Sequence, residues 1–572
     1  MSRLKEKTLE IFNGCTNIYD KYSKSYLFAL LMNAFVLFFY LYYFYPHYDT
    51  NDDHALKSIV IGTSGMSDYH MVFINVIIGH LLKWLYSLGL RIDWYDFFLY
   101  ILVYISLSTI TYILLNKKRK SVLFSAAIFI VSYSLYVRPQ FTKTASILAI
   151  TGMLLFSMEK KDKRTYIITR ISAVLFLVLA SWIRTIQMFS CAFICLGLLF
   201  FDLIGIFEKK DSEQRKLSID LISWGIITLL IVGITFVFDS LSYRDELWSY
   251  YIQYNNTRAV LVDEGFPDYQ KNIELYQRLD IDEETIDFYQ NFWMFDDPEK
   301  MSLDNMKELV KAKNKSISIL DFYNPIIYTF THFFTNKNTK VYMFFLLCCM
   351  ILTVSVSSKK DRLKCLISSV FFILCIMIVS YLRPFELMNR VYHGLIFCLL
   401  FCLLFIYGNR RIAIKKTILL ELILLLCVPE MLHVQIDNLR SWCQADYDKQ
   451  FEESLAICHE VARDKEHIYM FGGSNITIWK KMFNHIEPGL MSNRISFGGW
   501  GTNSGWNKHI KETYHIVNPY RDCIDNEQVI VVSNRIDSIM MYINKYYDKK
   551  ARAVPIYING LDCYKIVTNL EN

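Results

Sequence analysis

The chain has 572 residues, 53% of them hydrophobic and 16% aromatic, with only 10 prolines and a positive mean hydropathy. That composition excludes both an ordinary soluble globular protein and a disordered one. A formal net charge of +6 is too small for a nucleic-acid-binding surface, so the expected fold class is a mainly α-helical, polytopic membrane protein.

Residues 1–24 are charged and amphipathic. The apolar run 25–46 exceeds the hydrophobic core of a signal sequence, so it is expected to stay in the protein as the first membrane helix. It leads directly into Tyr48-Asp49-Thr50-Asn51-Asp52-Asp53-His54. Three carboxylates and a histidine thus gather at the membrane surface, where an acidic cluster can bind a cation or take a proton from a substrate. Residues 71–90 are apolar enough to pass for a span. However, Asn75, Gly79, Lys83 and Ser87 recur every fourth residue with His80 beside them, and one polar stripe on an apolar helix predicts an element lying in the membrane interface.

Ten further runs are predicted to cross: 97–115, 122–137, 141–158, 166–183, 188–206, 217–238, 341–356, 366–382, 391–407 and 417–428. With the first helix this makes about eleven spans. Short loops rich in Lys and Arg lie between alternate pairs, at 117–120, 159–164, 208–216, 359–364 and 410–416. Placing all five in the cytoplasm with the N-terminus satisfies the positive-inside rule. The expected organisation is a cytoplasmic segment 1–24, a transmembrane domain 25–430 with outer loops 47–96 and 240–340, and an extracytoplasmic domain 431–572. Within the second outer loop, the apolar stretch 319–334 with Asn324-Pro325 is expected to pack on the membrane surface.

The tail reads as a small α/β domain. A helix is predicted over 446–463, strands over 467–471 and 528–533, a helix over 536–547, and a hairpin over 554–567 turning at Asn559-Gly560. The Gly-rich piece 497–506 lacks the Lys and the spacing of a phosphate loop, so a plain loop is expected. Most cysteines sit in apolar runs, where a thiol acts as a small buried hydrophobe, and no metal-ligand spacing occurs along the chain. Cys443, Cys458, Cys523 and Cys563 in the tail allow three pairings, between which spacing does not choose.

Arg138, Lys143, Arg184, Arg383 and Arg390 fall at the outer ends of predicted spans, where the positive-inside rule gives no reason for them. Charges at membrane depth line cavities and substrate paths, and arginine holds phosphate through paired hydrogen bonds. Acids on the first outer loop facing these cations fit a site that takes a lipid phosphate from the bilayer and a hydroxyl acceptor from outside. Glycosyl transfer needs a carboxylate to deprotonate the acceptor, stabilisation of an oxocarbenium-like sugar and cations to hold the departing phosphate.

On these features the chain resembles the GT-C glycosyltransferases, membrane enzymes that use polyprenyl-phosphate sugars. The resemblance rests on Asp52-Asp53 after the first membrane helix, the membrane-lying helix in the first outer loop, about eleven spans and an outer soluble domain. More narrowly it is similar to a group of uncharacterised bacterial GT-C-like proteins. That likeness runs through Asn256-Thr257-Arg258, Asp263-Glu264-Gly265-Phe266-Pro267-Asp268-Tyr269, Arg138-Pro139-Gln140-Phe141-Thr142 and Asn389-Arg390-Val391-Tyr392, within residues 25 to 430. It implies a catalytic role for Asp52 and Asp53, as base or as ligands of a divalent metal. The expected partners are a polyprenyl-phosphate sugar, a cell-envelope glycan acceptor and the lipid bilayer. The expected substrate-binding residues are Arg138, Lys143, Arg184, Arg258, Arg383 and Arg390. Two other readings use the same cations: a transporter or flippase of lipid-linked saccharides, which needs no base, and a polysaccharide polymerase.

Overall fold

The computed structural model describes residues 25–118, 121–158, 163–207, 212–313, 319–383, 388–409, 421, 424–473, 476, 478, 481–558 and 561–568. Helix dominates. The first part of the chain forms α1 (Tyr26–Tyr43), α2 (Asn51–Ile61), α3 (Val76–Ser87), α4 (Trp94–Leu115), α5 (Val122–Tyr136), α6 (Phe141–Phe156), α7 (Lys163–Ile204) and α8 (Ser212–Ser242). An outer segment follows with α9 (Glu246–Glu264), two short helices, α10 (Leu303–Lys313) and α11 (Ile319–Thr335). The bundle then resumes with α12 (Lys337–Val356), α13 (Lys359–Leu382) and α14 (Asn389–Gly408).

Seven of the described helices are long and apolar enough to cross a bilayer, which suggests a membrane protein. In α1, Leu27, Leu31, Phe35, Phe38 and Tyr42 are exposed at the spacing of one helical face, an apolar stripe suited to lipid. The two shorter apolar helices, α5 and α6, are instead enclosed. Every residue of α6 is buried, and α14 is almost as deeply covered, so these two form the centre of the bundle.

Helix α7 is not one rod. Arg184 has extended backbone angles (φ −159°, ψ 94°) in its middle. Arg170 lies 3.8 Å from Asp220, and the Ser218 hydroxyl donates to the Asp202 carbonyl. In a straight helix residues 170 and 202 would be about 48 Å apart, yet both meet the start of α8. The chain therefore reverses at Arg184, at the point where the sequence separates 166–183 from 188–206. Part of the expected last span, residues 417–420, 422 and 423, lies outside the described residues.

The polar stripe of α3 is spent on the protein itself. Asn75 caps the helix by accepting from the Ile77 N–H (3.0 Å), Lys83 donates to the Ser67 carbonyl (2.9 Å), and at Gly79 an added Cβ would lie 1.9 Å from the Tyr69 oxygen. Leu81, Trp84 and Leu88 are left exposed on the other side, as an interface-lying helix requires.

In the tail, α15 (Cys427–Val434) and α16 (Arg440–Arg463) lead to a five-stranded sheet. Its strands are β1 (Ile468–Phe471), β2 (Arg494–Ser496), β3 (Val529–Val532), β4 (Arg552–Ile558) and β5 (Leu561–Val567). The order is β2-β1-β3-β5-β4; β1 pairs in parallel with β2 and β3, and β5 runs antiparallel to β3 and β4. Only β2, three residues long, has no counterpart in the sequence expectation, because three residues carry no readable alternation. The expected turn at Asn559-Gly560 lies outside the described residues. The four tail cysteines are buried and free.

The outer segment and the tail share one core. Tyr254, Tyr289 and Phe295 pack in the same cluster as Met470, Phe497, Val531 and Tyr542. The Gly-rich loop serves that contact: Asp296 N–H donates to the Phe497 carbonyl (2.8 Å), and a Cβ on Gly498 would lie 2.1 Å from the Trp293 oxygen.

Candidate functional site

The path from α1 to α2 is fixed by backbone pairing. His47 N–H donates to the Val137 carbonyl (3.0 Å) and Asp49 N–H to the Pro139 carbonyl (3.2 Å), so the chain leaving α1 runs beside the end of α5. Asp49 is thereby set 3.0 Å from Lys143 and 3.4 Å from Arg138. Burial alone would raise its carboxyl, but the two cations outweigh burial and hold it at about 2. These groups, with Thr50, Arg390 and His393, line a cavity of about 210 Å³.

Asp52 and Asp53 are not in a loop, as the sequence alone led one to expect; they open α2. There a carboxylate is favoured by the helix dipole. Consecutive residues on a helix point about 100° apart, and the two acids meet different surroundings. Asp53 is fully buried; its Oδ1 accepts from the Tyr95 hydroxyl (2.9 Å) and from the Phe141 N–H (3.0 Å) at the start of α6. Burial pushes its carboxyl well above the usual carboxylate range, against the opposing pull of those two hydrogen bonds. Asp52 faces the cations, 3.8 Å from Arg390. The adjoining His54 is buried, and burial lowers its imidazole to about 3, so it carries no charge.

Two of the arginines singled out in the sequence, Arg184 and Arg390, lie near Asp52, and Arg383 lies near Arg184. Arg184, at the reversal of α7, has Arg390, Arg383 and Asp52 as its charged neighbours. Its guanidinium lies over the rings of Phe73 (5.6 Å) and Phe141 (5.9 Å). Arg383 pairs with Asp263, which brings the end of α9 to the site. Arg258 stands apart: it is buried within α9, its guanidinium donating twice to Asn255 Oδ1 (2.9 and 3.3 Å) between Tyr251 and Tyr254. Five basic side chains (Arg138, Lys143, Arg184, Arg383, Arg390) thus gather with three acidic ones (Asp49, Asp52, Asp263), an excess of basic groups suited to an anion.

The three acids of the first outer loop do not converge as a donor set. Asp49 faces Lys143 and Arg138, Asp52 faces Arg390, and Asp53 is engaged by Tyr95 and Phe141. This arrangement does not fit a divalent cation, which needs several oxygens directed at one point, and no step below is routed through one.

Sequence reasoning missed a buried ion cluster behind Asp53. Lys57 pairs with Asp93 and lies 3.6 Å from Asp96. Asp96 also accepts from the Tyr48 hydroxyl and from the Phe483 N–H of the tail (2.7 Å), while Lys57 donates to the Asn484 carbonyl (3.2 Å). Tyr86 donates to Asp93 (2.9 Å) and accepts from the Tyr95 N–H (3.0 Å), so the network reaches the residue that binds Asp53. The close spacing of Asp93 and Asp96 just before a predicted span was the available signal. No family model, no curated protein and no solved structure matches the chain.

Proposed function

We propose that this protein is a GT-C-like membrane glycosyltransferase that moves a sugar from a polyprenyl-phosphate donor to a cell-envelope glycan or lipid-linked acceptor at the outer face. The observation that carries this reading is the grouping of Arg390, Arg383 and Asp52 around Arg184, with Arg390 3.8 Å from Asp52. Among the described residues Arg184 has no ion-pair or hydrogen-bond partner, and an arginine held among other arginines is stabilised once an anion arrives.

In this reading the Asp52 carboxylate takes the proton of the acceptor hydroxyl. The oxygen then bonds to the anomeric carbon as the bond from that carbon to the phosphate oxygen breaks. The polyprenyl phosphate leaves with the electron pair, its charge held by Arg184 and Arg390. Asp53, fully buried and engaged by Tyr95 and Phe141, is shut off from an acceptor; it ties the start of α2 to α4 and α6 and so positions Asp52. The cavity lined by Asp49, Arg138, Lys143 and His393 adjoins Arg390 and is assigned to the acceptor.

Replacing Arg184 by Lys tests the donor site. Lysine keeps the charge but loses the paired hydrogen bonds, so affinity for a polyprenyl-phosphate sugar should fall about tenfold or more, the scale of one charge-assisted hydrogen bond. Unchanged donor binding by Arg184→Lys and Arg390→Lys would refute the assignment.

The proposed topology has eleven spans, N-terminus inside and tail outside. Lys271 and Lys550 are exposed in the segments placed outside, and Lys360 is exposed on the side placed inside. Cysteines introduced at 271 and 550 should react with an impermeant maleimide in intact cells, and one at 360 only after permeabilisation. Any reversal of that pattern overturns the topology.

A further inference from the structure

Cysteines far apart in sequence meet inside the bundle. Cys195 lies in the half of α7 that follows the reversal, and Cys398 and Cys402 lie one turn apart on α14, a spacing that puts both on one face. The Cys195 sulfur is 3.5 Å from each of the other two, and all three sulfurs lie within 4.8 Å of one another. Each residue is fully buried. Use as small hydrophobes explains the burial of each thiol, but not the direction of three sulfurs toward one point. With thiolate–metal bonds of about 2.3 Å, three sulfurs in a trigonal plane sit about 4 Å apart, close to what is found here.

We infer that Cys195, Cys398 and Cys402 form a binding site for a soft monovalent metal ion, Cu(I). Coordination number and ligand softness select the ion. Among the described residues the group takes in no histidine or carboxylate, and the neighbouring Cys191, one turn before Cys195 and beside Cys398, lies outside the cluster of three sulfurs. Zinc in closed sites takes four ligands, whereas soft sulfur ligands in low number suit Cu(I). Metal ligands are thiolates, so binding of Cu(I) by the three cysteines forms three Cu–S bonds and releases three thiol protons to the medium. The site lies below the proposed anion site, with Cys195 eleven residues beyond Arg184 and Cys398 eight beyond Arg390, roughly 16 and 12 Å along the helices. A bound ion therefore staples together the two helices that carry those arginines.

The test is titration of the detergent-purified, fully reduced chain with Cu(I) against a Cu(I)-specific chelator, followed by X-ray absorption of the loaded protein. The expected result is one Cu(I) per chain, bound to three sulfurs. Binding should be at least tenfold weaker in the Cys195→Ala/Cys398→Ala/Cys402→Ala variant and unchanged in Cys427→Ala. Should the triple variant fail to fold, Cys402→Ala, which removes one thiol, is expected to lower the sulfur count to two. No retention by the wild type, equal retention by the triple variant, or preferential four-coordinate binding of zinc would overturn the site. So would recovery of the three cysteines only as a disulfide and a thiol that take up no metal.

Discussion

Asp52→Asn should reduce sugar transfer by about 100-fold or more, the usual scale for losing a positioned base, while leaving membrane insertion and donor binding intact. Asparagine is nearly isosteric with aspartate but cannot accept the acceptor's proton. It also removes the carboxylate that lies 3.8 Å from Arg390, so donor affinity should hold or rise as the site becomes more positive. Asp53→Asn is the informative partner. Asp53 is fully buried, and asparagine can still accept from Tyr95 and Phe141 through its carbonyl, so transfer should fall far less. Measuring single-turnover transfer and donor affinity on both variants in purified form separates the roles. Full transfer by Asp52→Asn would remove the base and leave a transporter of lipid-linked saccharides as the better reading. A larger loss at Asp53 than at Asp52 would reverse the assignment of the two acids.

Lys57→Met should be the most destabilising single change in the first outer loop. Methionine nearly matches lysine in length, so packing is kept, but Asp93 and Asp96 lose their cation while fully or nearly fully buried. Burial alone would neutralise Lys57; Asp96 and Asp93 instead hold its ammonium above the ordinary value. Removing one partner of a buried pair costs about 3–5 kcal/mol, because the remaining charge stays desolvated. The expected readout is a melting temperature lower by several degrees in detergent. Faster proteolysis of the tail should accompany it, since Phe483 and Asn484 dock on this cluster. Asp93→Asn added to Lys57→Met should recover part of the loss. A melting temperature equal to that of the wild type would show that the cluster contributes nothing to the fold.

Much of the local structure could be read from residue order. The apolar runs mark the long helices, the four-residue polar repeat marks α3, short continuous apolar runs mark β1 and β3, and the hairpin pattern marks β4 and β5 within a residue or two. The candidate cations were legible because they interrupt apolar runs at places where topology does not call for them. Arg184 is the clearest case: it separates two apolar runs, and the chain reverses there. Arg258 shows the limit of the same reasoning, since its motif neighbours do not reveal that Asn255 and two tyrosines enclose it.

By itself, then, the sequence determined the apolar class, most helix and strand positions and the set of charged residues that interrupt the apolar runs, because periodicity and hydropathy act over a few residues. Tertiary structure alone decided which carboxylate faces the arginines and which is buried. It also decided that Lys57 pairs with Asp93 beside Asp96, that the segment from α9 to α10 shares a core with the tail, and that Cys195 meets Cys398 and Cys402. The physical reason is that burial and charge pairing depend on neighbours supplied from distant parts of the chain. Asp52 and Asp53 are adjacent in sequence yet about 100° apart around a helix, and only the packing of α4 and α6 against α2 leaves Asp52 partly exposed beside Arg390 while Asp53 is fully buried.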